Sequence, residues 1–242
     1  MDYESLLKLV KKTRSIRRFK PDPIPDEYID KIIEVARWAP SGFNSQPWEF
    51  VVVKKKELKD KISEFIDEYV RQSARMEATR EKWQKTIMRQ YAGVPMDYRT
   101  APVFILLFGD TRTKVGLPMA LRYDDSRCQK IYISSLANAF LYMHLAATSL
   151  GLASQWVSGV QVPLAHCLTK DLLGIPKEME VYDMMALGYP AVKPRPKLMR
   201  DKEKMVHYDY CGKKDFRTDE EVRGFVRKTR TWVIAAMARK AD

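Results

Sequence analysis

Hydrophobic positions in the N-terminal quarter of the chain recur at helical spacing, with an interruption by prolines. Apolar residues concentrated between positions 6 and 10 predict a short first helix that ends near residues 13–15. The three prolines within residues 21–25 exclude a regular helix there, because each proline fixes φ and lacks an amide donor. Asp26 is then a candidate N-cap for a second helix, which Pro40 terminates.

Later in the chain, short apolar runs alternate with helical patterns. The longest helical pattern predicts a helix over residues 129–150, with Gly151 as its C-cap. Further helices are predicted over residues 163–173 and 220–240. Runs rich in β-branched and aromatic residues predict buried strands over residues 50–53, 103–108, 155–160 and 181–187.

A charged stretch from residue 57 to about residue 90 predicts one or two further helices. Its apolar positions thin out after Arg71, although Trp83 and Met88 remain in the polar part. A polar helix that keeps such side chains either covers a cleft or simply lies on the protein surface. We therefore expect an insert at about residues 66–100, either as a lid over a substrate or as a surface excursion.

The order of these elements determines the predicted fold class. Strands and helices alternate without a strict βαβ rhythm, which favours an α+β fold with a central sheet. A chain of 242 residues with 45% hydrophobic residues is long enough to bury one large core. We expect a single domain over residues 1–242, with a C-terminal arm and helix at about residues 190–242.

The chain has a formal net charge of +12, from 43 basic and 31 acidic residues. A basic surface and an attraction for anionic ligands both explain this excess. Basic and acidic residues are interleaved almost everywhere, and there is no basic tail. We therefore expect a small-molecule substrate rather than nucleic acid as the partner.

Cysteine, histidine and apolar segments give expectations about compartment and metals. The three cysteines are widely spaced and odd in number, which indicates a reducing cytoplasm rather than a disulfide framework. The three scattered histidines lack the spacing of a metal site, so no metal is expected. No secretory signal is visible, and no apolar run is long enough to span a membrane.

Familiar catalytic and nucleotide-binding motifs are missing from the sequence. It contains no GxGxxG after a strand, no GxxxxGK[ST] and no GxSxG. With so few histidines, the chemistry is expected to come from a bound cofactor, and no catalytic side chain is identified.

Three polar segments lie beside predicted element ends. Residues 14–19 (RSIRRF) combine guanidinium groups with a hydroxyl, the chemistry of a phosphate clamp or of a solvated basic turn. Residues 40–48 (PSGFNSQPW) carry hydroxyl and amide side chains around a glycine and can serve as a connector or bind a heterocycle. Residues 154–159 (SQWVSG) lie at the start of the strand that follows the long helix.

Together these segments resemble the FMN-dependent nitroreductase superfamily. RSIRRF at residues 14–19 and APSGFNSQPWEF at residues 39–50 are similar to its two specific motifs, and LGYP at residues 187–190 continues the likeness in order. The resemblance covers about residues 5–212. It implies a nitroreductase-like fold with a mixed, mostly antiparallel sheet and an intertwined homodimer with active sites at the interface.

The resemblance also implies cofactor-binding residues, carried over one by one. Arg14, Ser15 and Arg17 match residues at the FMN phosphate, ribityl chain and pyrimidine edge. Val157, Ser158 and Gly159 match a strand start near the flavin N5. Arg200, with Lys197 as the second choice, matches a basic residue that completes the phosphate site. The segment that reaches the flavin of the other subunit corresponds to Pro40, Ser41, Gly42, Asn44 and Gln46.

Two departures from the family pattern concern the phosphate. Thr13 stands where another arginine is common, and Met199 and Asp201 flank Arg200 in place of the expected Arg-Lys-Pro-Leu run. The implied activity is transfer of hydride or electrons from NADH or NADPH through FMN to a nitroaromatic, quinone, enone or related acceptor. Alternatives are a dehalogenase, ene-reductase, dehydrogenase or benzimidazole-forming flavin enzyme, or a non-catalytic basic binding protein.

Overall fold

A computed structural model of the chain describes residues 2–77, 97–194 and 196–237. The first helix, α1, covers Tyr3–Lys12, and the side chain of Asp2 caps it by accepting a hydrogen bond from the Ser5 amide. The second helix, α2, covers Asp26–Ala36. The prediction of Asp26 as its N-cap is wrong, because Pro25 occupies that position without a side-chain cap bond. Asp26 lies in the first turn, where its negative charge interacts favourably with the helix dipole, and it forms an ion pair with Lys54.

Four strands form the central sheet. They are β1 (Trp48–Val53), β2 (Val103–Asp110), β3 (Ala153–Val157) and β4 (Met179–Gly188), in the spatial order β1-β2-β4-β3. All three neighbouring pairs are antiparallel. Parallel pairing occurs, within the described ranges, at the isolated bridge between Ser15 and Ser154. The α+β prediction with a mostly antiparallel sheet is confirmed.

Helices cover both faces of this sheet. Helix α3 covers Lys56–Glu77, the short α4 covers Met119–Arg122, α5 covers Asp125–Ser149, and α6 covers Pro163–Leu173. Alternate residues of β2 enter two separate cores: Ile105 and Leu107 pack with residues of α2 and α5, whereas Phe104 and Leu106 pack with residues of α3 and α6. The sheet is therefore buried on both faces.

Helix α5 is the main support on one face. Leu136, Phe140 and Met143 are almost fully buried along the stripe that the sequence predicts. The C-cap is Leu150 rather than Gly151, and Gly151 follows it with a φ of 76°, the left-handed conformation that glycine adopts readily.

The structure corrects the predicted strand at residues 155–160. Strand β3 ends at Val157, which pairs with Met184, and Ser158–Gln161 form a 3-10 turn that leads to Pro163. Val160 is fully buried in this turn. The burial of this turn residue explains why the apolar pattern predicted a strand as far as residue 160.

The C-terminal part runs from Pro190 through an irregular arm to helix α7, Asp219–Met237. Side chains such as Tyr208 and Tyr210 are strongly exposed along the arm. Residues 78–96, the main part of the predicted insert, lie outside the described residues, and residues 66–77 belong to α3. The predictions of a lid and of a single domain stay predictions. None of the helices in the described ranges combines the length and apolarity that crossing a bilayer requires.

Candidate functional site

The first polar segment, residues 14–19, lies along the edge of the sheet. The amide of Ile16 donates a hydrogen bond of 3.0 Å to the carbonyl of Ser154, at the start of β3. Ile16 and Phe19 are buried, whereas Arg14 and Arg17 are half-buried and Ser15 is exposed. The buried residues thus anchor the segment and leave its polar groups near solvent.

Arg14 follows Thr13, the C-cap residue of helix α1. Its Nη1 donates a hydrogen bond of 2.8 Å to the carbonyl of Thr13. The hydroxyl of Thr13 donates in turn to the carbonyl of Leu9 at 2.9 Å, within the last turn of α1. Thr13 therefore fixes the helix end from which the guanidinium of Arg14 extends.

The second polar segment, residues 40–48, has an unusual backbone. Phe43, Asn44 and Gln46 have φ values of 55°, 53° and 42°, in the left-handed region that non-glycine residues seldom adopt. Local bonds hold this conformation: the Gln46 side chain donates to Asn44 Oδ1 at 3.0 Å, and the Gln46 amide donates to the Ser41 hydroxyl at 3.1 Å. Such strained residues cluster at functional sites. The exposed side chains of the loop include Phe43, Asn44 and Gln46.

Helix α5 fixes the position of this loop. The Gly42 amide donates to the Ser135 hydroxyl at 3.1 Å, and the Asn138 side chain donates to the Pro40 carbonyl at 3.0 Å. Gly42 packs directly on Ile131, and a Cβ on Gly42 would lie only 2.2 Å from the Cγ2 atom of Ile131. The close approach of loop and helix therefore requires glycine.

The Gly42→Ala variant is expected to lose about 1–3 kcal/mol of unfolding free energy, because Ile131 is β-branched and stiff on a helix. Urea denaturation measures the loss. Gly116→Ala is the matched control, since a Cβ on Gly116 would meet no atom within 4 Å. Equal stability of the two variants would contradict the close packing of the loop.

The first two segments are linked to α5 at different points, the loop directly and residues 14–19 through Ser154 of β3. The His144 Nδ1 and Ser154 Oγ atoms lie 2.6 Å apart, so the first segment, which pairs with Ser154, lies near residue 144 of α5. The loop is bound at Ser135. With 1.5 Å of rise per residue, these two points lie about 14 Å apart along the helix axis. Within one protomer, the two links are therefore separated along α5.

The third segment begins at Ser154, the residue that pairs with the first segment. Val157 is the last residue of β3, and Ser158 and Gly159 begin the 3-10 turn, so their expected position at a strand start is wrong. A Cβ on Gly159 would lie 2.6 Å from the Cγ2 atom of Ile66 on α3, so the turn is packed against that helix.

The two basic candidates of the arm lie farther along the chain. The arm begins beside the first segment, where the Ala191 amide donates to the Arg18 carbonyl at 3.1 Å. Lys197 is exposed and Arg200 is half-buried. The described hydrogen bond of Arg200, 3.3 Å to the Lys204 carbonyl, stays within the arm. A role for either side chain at a phosphate stays a prediction.

A cluster of buried polar side chains between α5 and the sheet was not identified from the sequence. His144, Ser154 and Asp183 are buried there, and the Trp156 indole donates to an oxygen of Asp183. The sequence offered one signal, a carboxylate inside the apolar strand pattern of residues 181–187.

Burial lowers the pKa of His144 to about 4. The unfolded chain therefore takes up a proton at higher pH, near 6.5, and the folded state loses stability as the pH falls from 6.5 towards 4. We expect the advantage of the wild type over His144→Gln to shrink by about 2 kcal/mol between pH 7 and pH 5. Urea denaturation at both pH values measures it, with exposed His207→Gln as control. Parallel pH profiles for wild type and His144→Gln would contradict a buried, neutral His144.

Comparison with known sequences decides the family. The Nitroreductase family matches residues 10–189 of the chain. The chain belongs to the nitroreductase family. The prediction made from the two N-terminal motifs is thereby confirmed.

The relatives of this chain carry two kinds of name, iodotyrosine deiodinase and NADH dehydrogenase/nitroreductase. An iodotyrosine deiodinase of Hydra vulgaris is 30% identical over 182 residues, 74% of this chain and 62% of that protein. A rat iodotyrosine deiodinase 1 is 38% identical over 109 residues, 45% of this chain and 38% of that protein. A Methanothermobacter thermautotrophicus protein, provisionally named an NADH dehydrogenase/NAD(P)H nitroreductase, is 27% identical over 83% of this chain and 85% of its own. The chain thus spans less than two thirds of these two deiodinases.

Solved structures show the same fold. A BluB-like flavoprotein from Clostridium difficile superimposes with a TM-score of 0.69 at 24% identity, over 87% of this chain and all of that chain. A nitroreductase with bound FMN from Bacteroides fragilis gives a TM-score of 0.62 at 24% identity, over 87% and 100% of the two chains. An iodotyrosine deiodinase with FMN and 3-iodo-L-tyrosine gives 0.65 at 25% identity, over 86% and 99%.

Proposed function

We propose that this protein is an FMN-dependent oxidoreductase that transfers hydride or electrons from NADH or NADPH to a small organic acceptor. The acceptor class is a nitroaromatic, quinone, enone or related compound. The observation that carries the proposal is the pair of polar segments, Arg14–Phe19 and Pro40–Trp48, in a chain of the nitroreductase family. The second segment bonds α5 directly at Ser135, and the first is linked to α5 through Ser154 of β3. The first segment offers groups for the phosphate and the ribityl chain of a flavin nucleotide, and the second offers groups for the flavin ring.

The chemistry of the donor groups fits FMN. Arg14, Ser15 and Arg17 supply guanidinium and hydroxyl groups for a phosphate and a ribityl chain beside β3. The strained loop exposes the amide side chains of Asn44 and Gln46, which suit the polar edge of a flavin ring. The proposed site includes, in full, Arg14, Ser15, Arg17, Pro40, Ser41, Gly42, Asn44, Gln46, Val157, Ser158, Gly159, Lys197 and Arg200.

Bound FMN would supply the hydride-accepting chemistry, and the chain supplies binding and charge. Arg17 is the proposed cation at the pyrimidine edge, where negative charge accumulates on reduction. The Ser158–Gln161 turn would face the reacting edge of the ring, and its packing on Ile66 would limit its movement. This division of tasks requires no protein nucleophile.

A homodimer is part of the proposal. Helix α1 buries none of its residues within the protomer, and Leu6 and Val10 on it are exposed. Ile133 and Leu141 of α5 are also exposed, as is Phe43 of the loop. Large exposed apolar side chains near a candidate site mark an interaction surface. A second copy that covers them would bring its own loop to the first protomer's Arg14 segment.

The test is to add FMN to purified protein and to follow reduction of the complex by NADH and by NADPH in a stopped-flow spectrometer. We expect stoichiometric binding with flavin absorption in the near-UV and blue, and bleaching by at least one nicotinamide. Protein that cannot be loaded with FMN would overturn the proposal and would favour a non-catalytic basic binding protein instead.

A second candidate is reductive dehalogenation of an aromatic substrate. The 30% identity to the Hydra deiodinase over 74% of this chain favours it. Adding 3-iodotyrosine or a nitroaromatic to the reduced flavoprotein distinguishes the candidates. Faster flavin reoxidation by the iodinated compound, with iodide release, would select the dehalogenase.

The reducing cytoplasm is the proposed location. The three cysteines are free, with Cys128 buried and Cys167 and Cys211 exposed. Exposed free thiols persist where the surroundings are reducing.

A further inference from the structure

Asp183 is a carboxylate in the middle of a buried strand. It lies on β4 with 2% of its surface exposed, opposite Leu107 of β2. Its neighbour Met185 and the facing Leu107 belong to the apolar core under α5. A carboxylate is costly to bury in such surroundings unless hydrogen bonds stabilise it, so a specific arrangement is required.

The donors around Asp183 come from the end of β3 and from the turn that follows. The Trp156 indole N–H donates to Oδ2. The side chains of Ser158 and Gln161 lie close enough to stabilise the carboxylate, and Gln161 donates to the Tyr182 carbonyl. Oδ1 nevertheless has no well-aligned donor among the described residues. The carboxylate is thus bonded to Trp156 at the end of β3, within reach of the Ser158–Gln161 turn, and the Gln161 bond to Tyr182 joins that turn to β4.

The other titratable groups around Asp183 are neutral near pH 7. His144 of α5 stacks on the Trp156 ring, with centroids 5.5 Å apart and planes 13° apart, and burial lowers its pKa to about 4. Burial, and then the Asp183 charge, raises the pKa of Tyr182 to about 12. Burial raises the pKa of Asp183 itself to about 6, and no basic side chain of the described ranges opposes this shift.

We propose that Asp183 is a positioning residue for the flavin, because its carboxylate fixes the Ser158–Gln161 turn and places a negative charge behind it. This inference rests on the proposed function. Reduction adds negative charge to a flavin, so a fixed anion behind the turn opposes reduction. The residue thereby tunes the cofactor without touching it.

The first test compares midpoint potentials of the FMN-loaded proteins at pH 8, by equilibration with a redox dye. Asp183→Asn keeps the shape and an acceptor for Trp156 but removes the charge. We expect its ratio of reduced to oxidised FMN at a fixed potential to rise about tenfold, or about 30 mV for a two-electron couple. Glu180→Gln, an exposed carboxylate on the same strand, is the matched control and should match the wild type. An unchanged potential in Asp183→Asn would overturn the inference and leave the proposed function intact.

The second test uses the apoprotein and needs no flavin. The Trp156 indole N–H signal in a ¹⁵N-tryptophan NMR spectrum, assigned with Trp156→Phe, should shift between pH 5 and pH 8 with a midpoint near the Asp183 pKa of about 6. The titration of His144 lies below this range. A signal with the chemical shift and solvent exchange of a free indole at every pH from 5 to 8 would overturn the inference even if Asp183→Asn fails to fold. Failure of the wild type to bind FMN, in contrast, would overturn the proposed function and this role with it.

Discussion

The Arg14→Gln variant is expected to bind FMN about tenfold to hundredfold more weakly than the wild type. The guanidinium extends from the end of α1 beside the edge of the sheet and is half-buried there. A hydrogen bond to a charged group contributes about 1.5–3 kcal/mol, and partial burial keeps it from being screened. Glutamine keeps similar length and can donate, but it loses the charge and the paired donors of arginine.

Fluorescence titration of the apoprotein with FMN measures this loss. Arg112→Gln is the matched control, because Arg112 is a surface residue with 63% of its side chain exposed and an ion pair to Asp110. Its replacement should leave FMN affinity within twofold or so of the wild type. Equal affinities of the Arg14→Gln and wild-type proteins would remove Arg14 from the cofactor site.

Mixing Arg14→Gln with Asn44→Asp is expected to restore FMN sites of wild-type affinity, which neither variant forms alone. Asp tolerates the left-handed backbone of residue 44 but places a negative charge where an amide stood. If each site is shared between subunits, one of the two sites of a mixed dimer combines the Arg14 of one protomer with the Asn44 of the other. If protomers exchange at random, about a quarter of the wild-type number of intact sites returns.

The measurement is FMN binding after the two variants are mixed, partly unfolded and refolded together. Each variant treated in the same way by itself is the control. If both segments served a flavin within a single protomer, no combination of these two chains would contain an intact site. The absence of recovery, with mixed dimers present, would therefore refute an active site shared between subunits.

Much of the fold followed from local sequence signals. Helix α6 was predicted at its observed limits, because Pro163 suits a first helical turn and Gly174 adopts the left-handed conformation at the end. Strand β2 was recognisable because it is buried on both faces and its apolar run is unbroken. These features depend on residues that are close together in the sequence.

Other features depend on contacts between distant residues. Val160 in the Ser158–Gln161 turn continues the apolar pattern of β3, whereas the shape of the turn follows from packing on Ile66 and from the Gln161 bond to β4. The left-handed backbone at Phe43 has no signal in that residue type and follows from the docking of Gly42 on α5. The polar segments could be recognised in the sequence by their motifs. Asp183 could not, because its hydrogen bond to Trp156 joins residues of two different strands.

Helix α5 bonds the loop at Ser135, and at His144 it bonds Ser154, the residue that pairs with the first segment; this spacing has a consequence for variation among relatives. Removing one residue between Ser135 and His144 would shorten the distance by about 1.5 Å and rotate one point relative to the other by about 100°. The two segments of the proposed site would then be displaced relative to each other, whatever side chains they carried. This stretch should therefore accept changes of residue type in evolution far more readily than insertions or deletions.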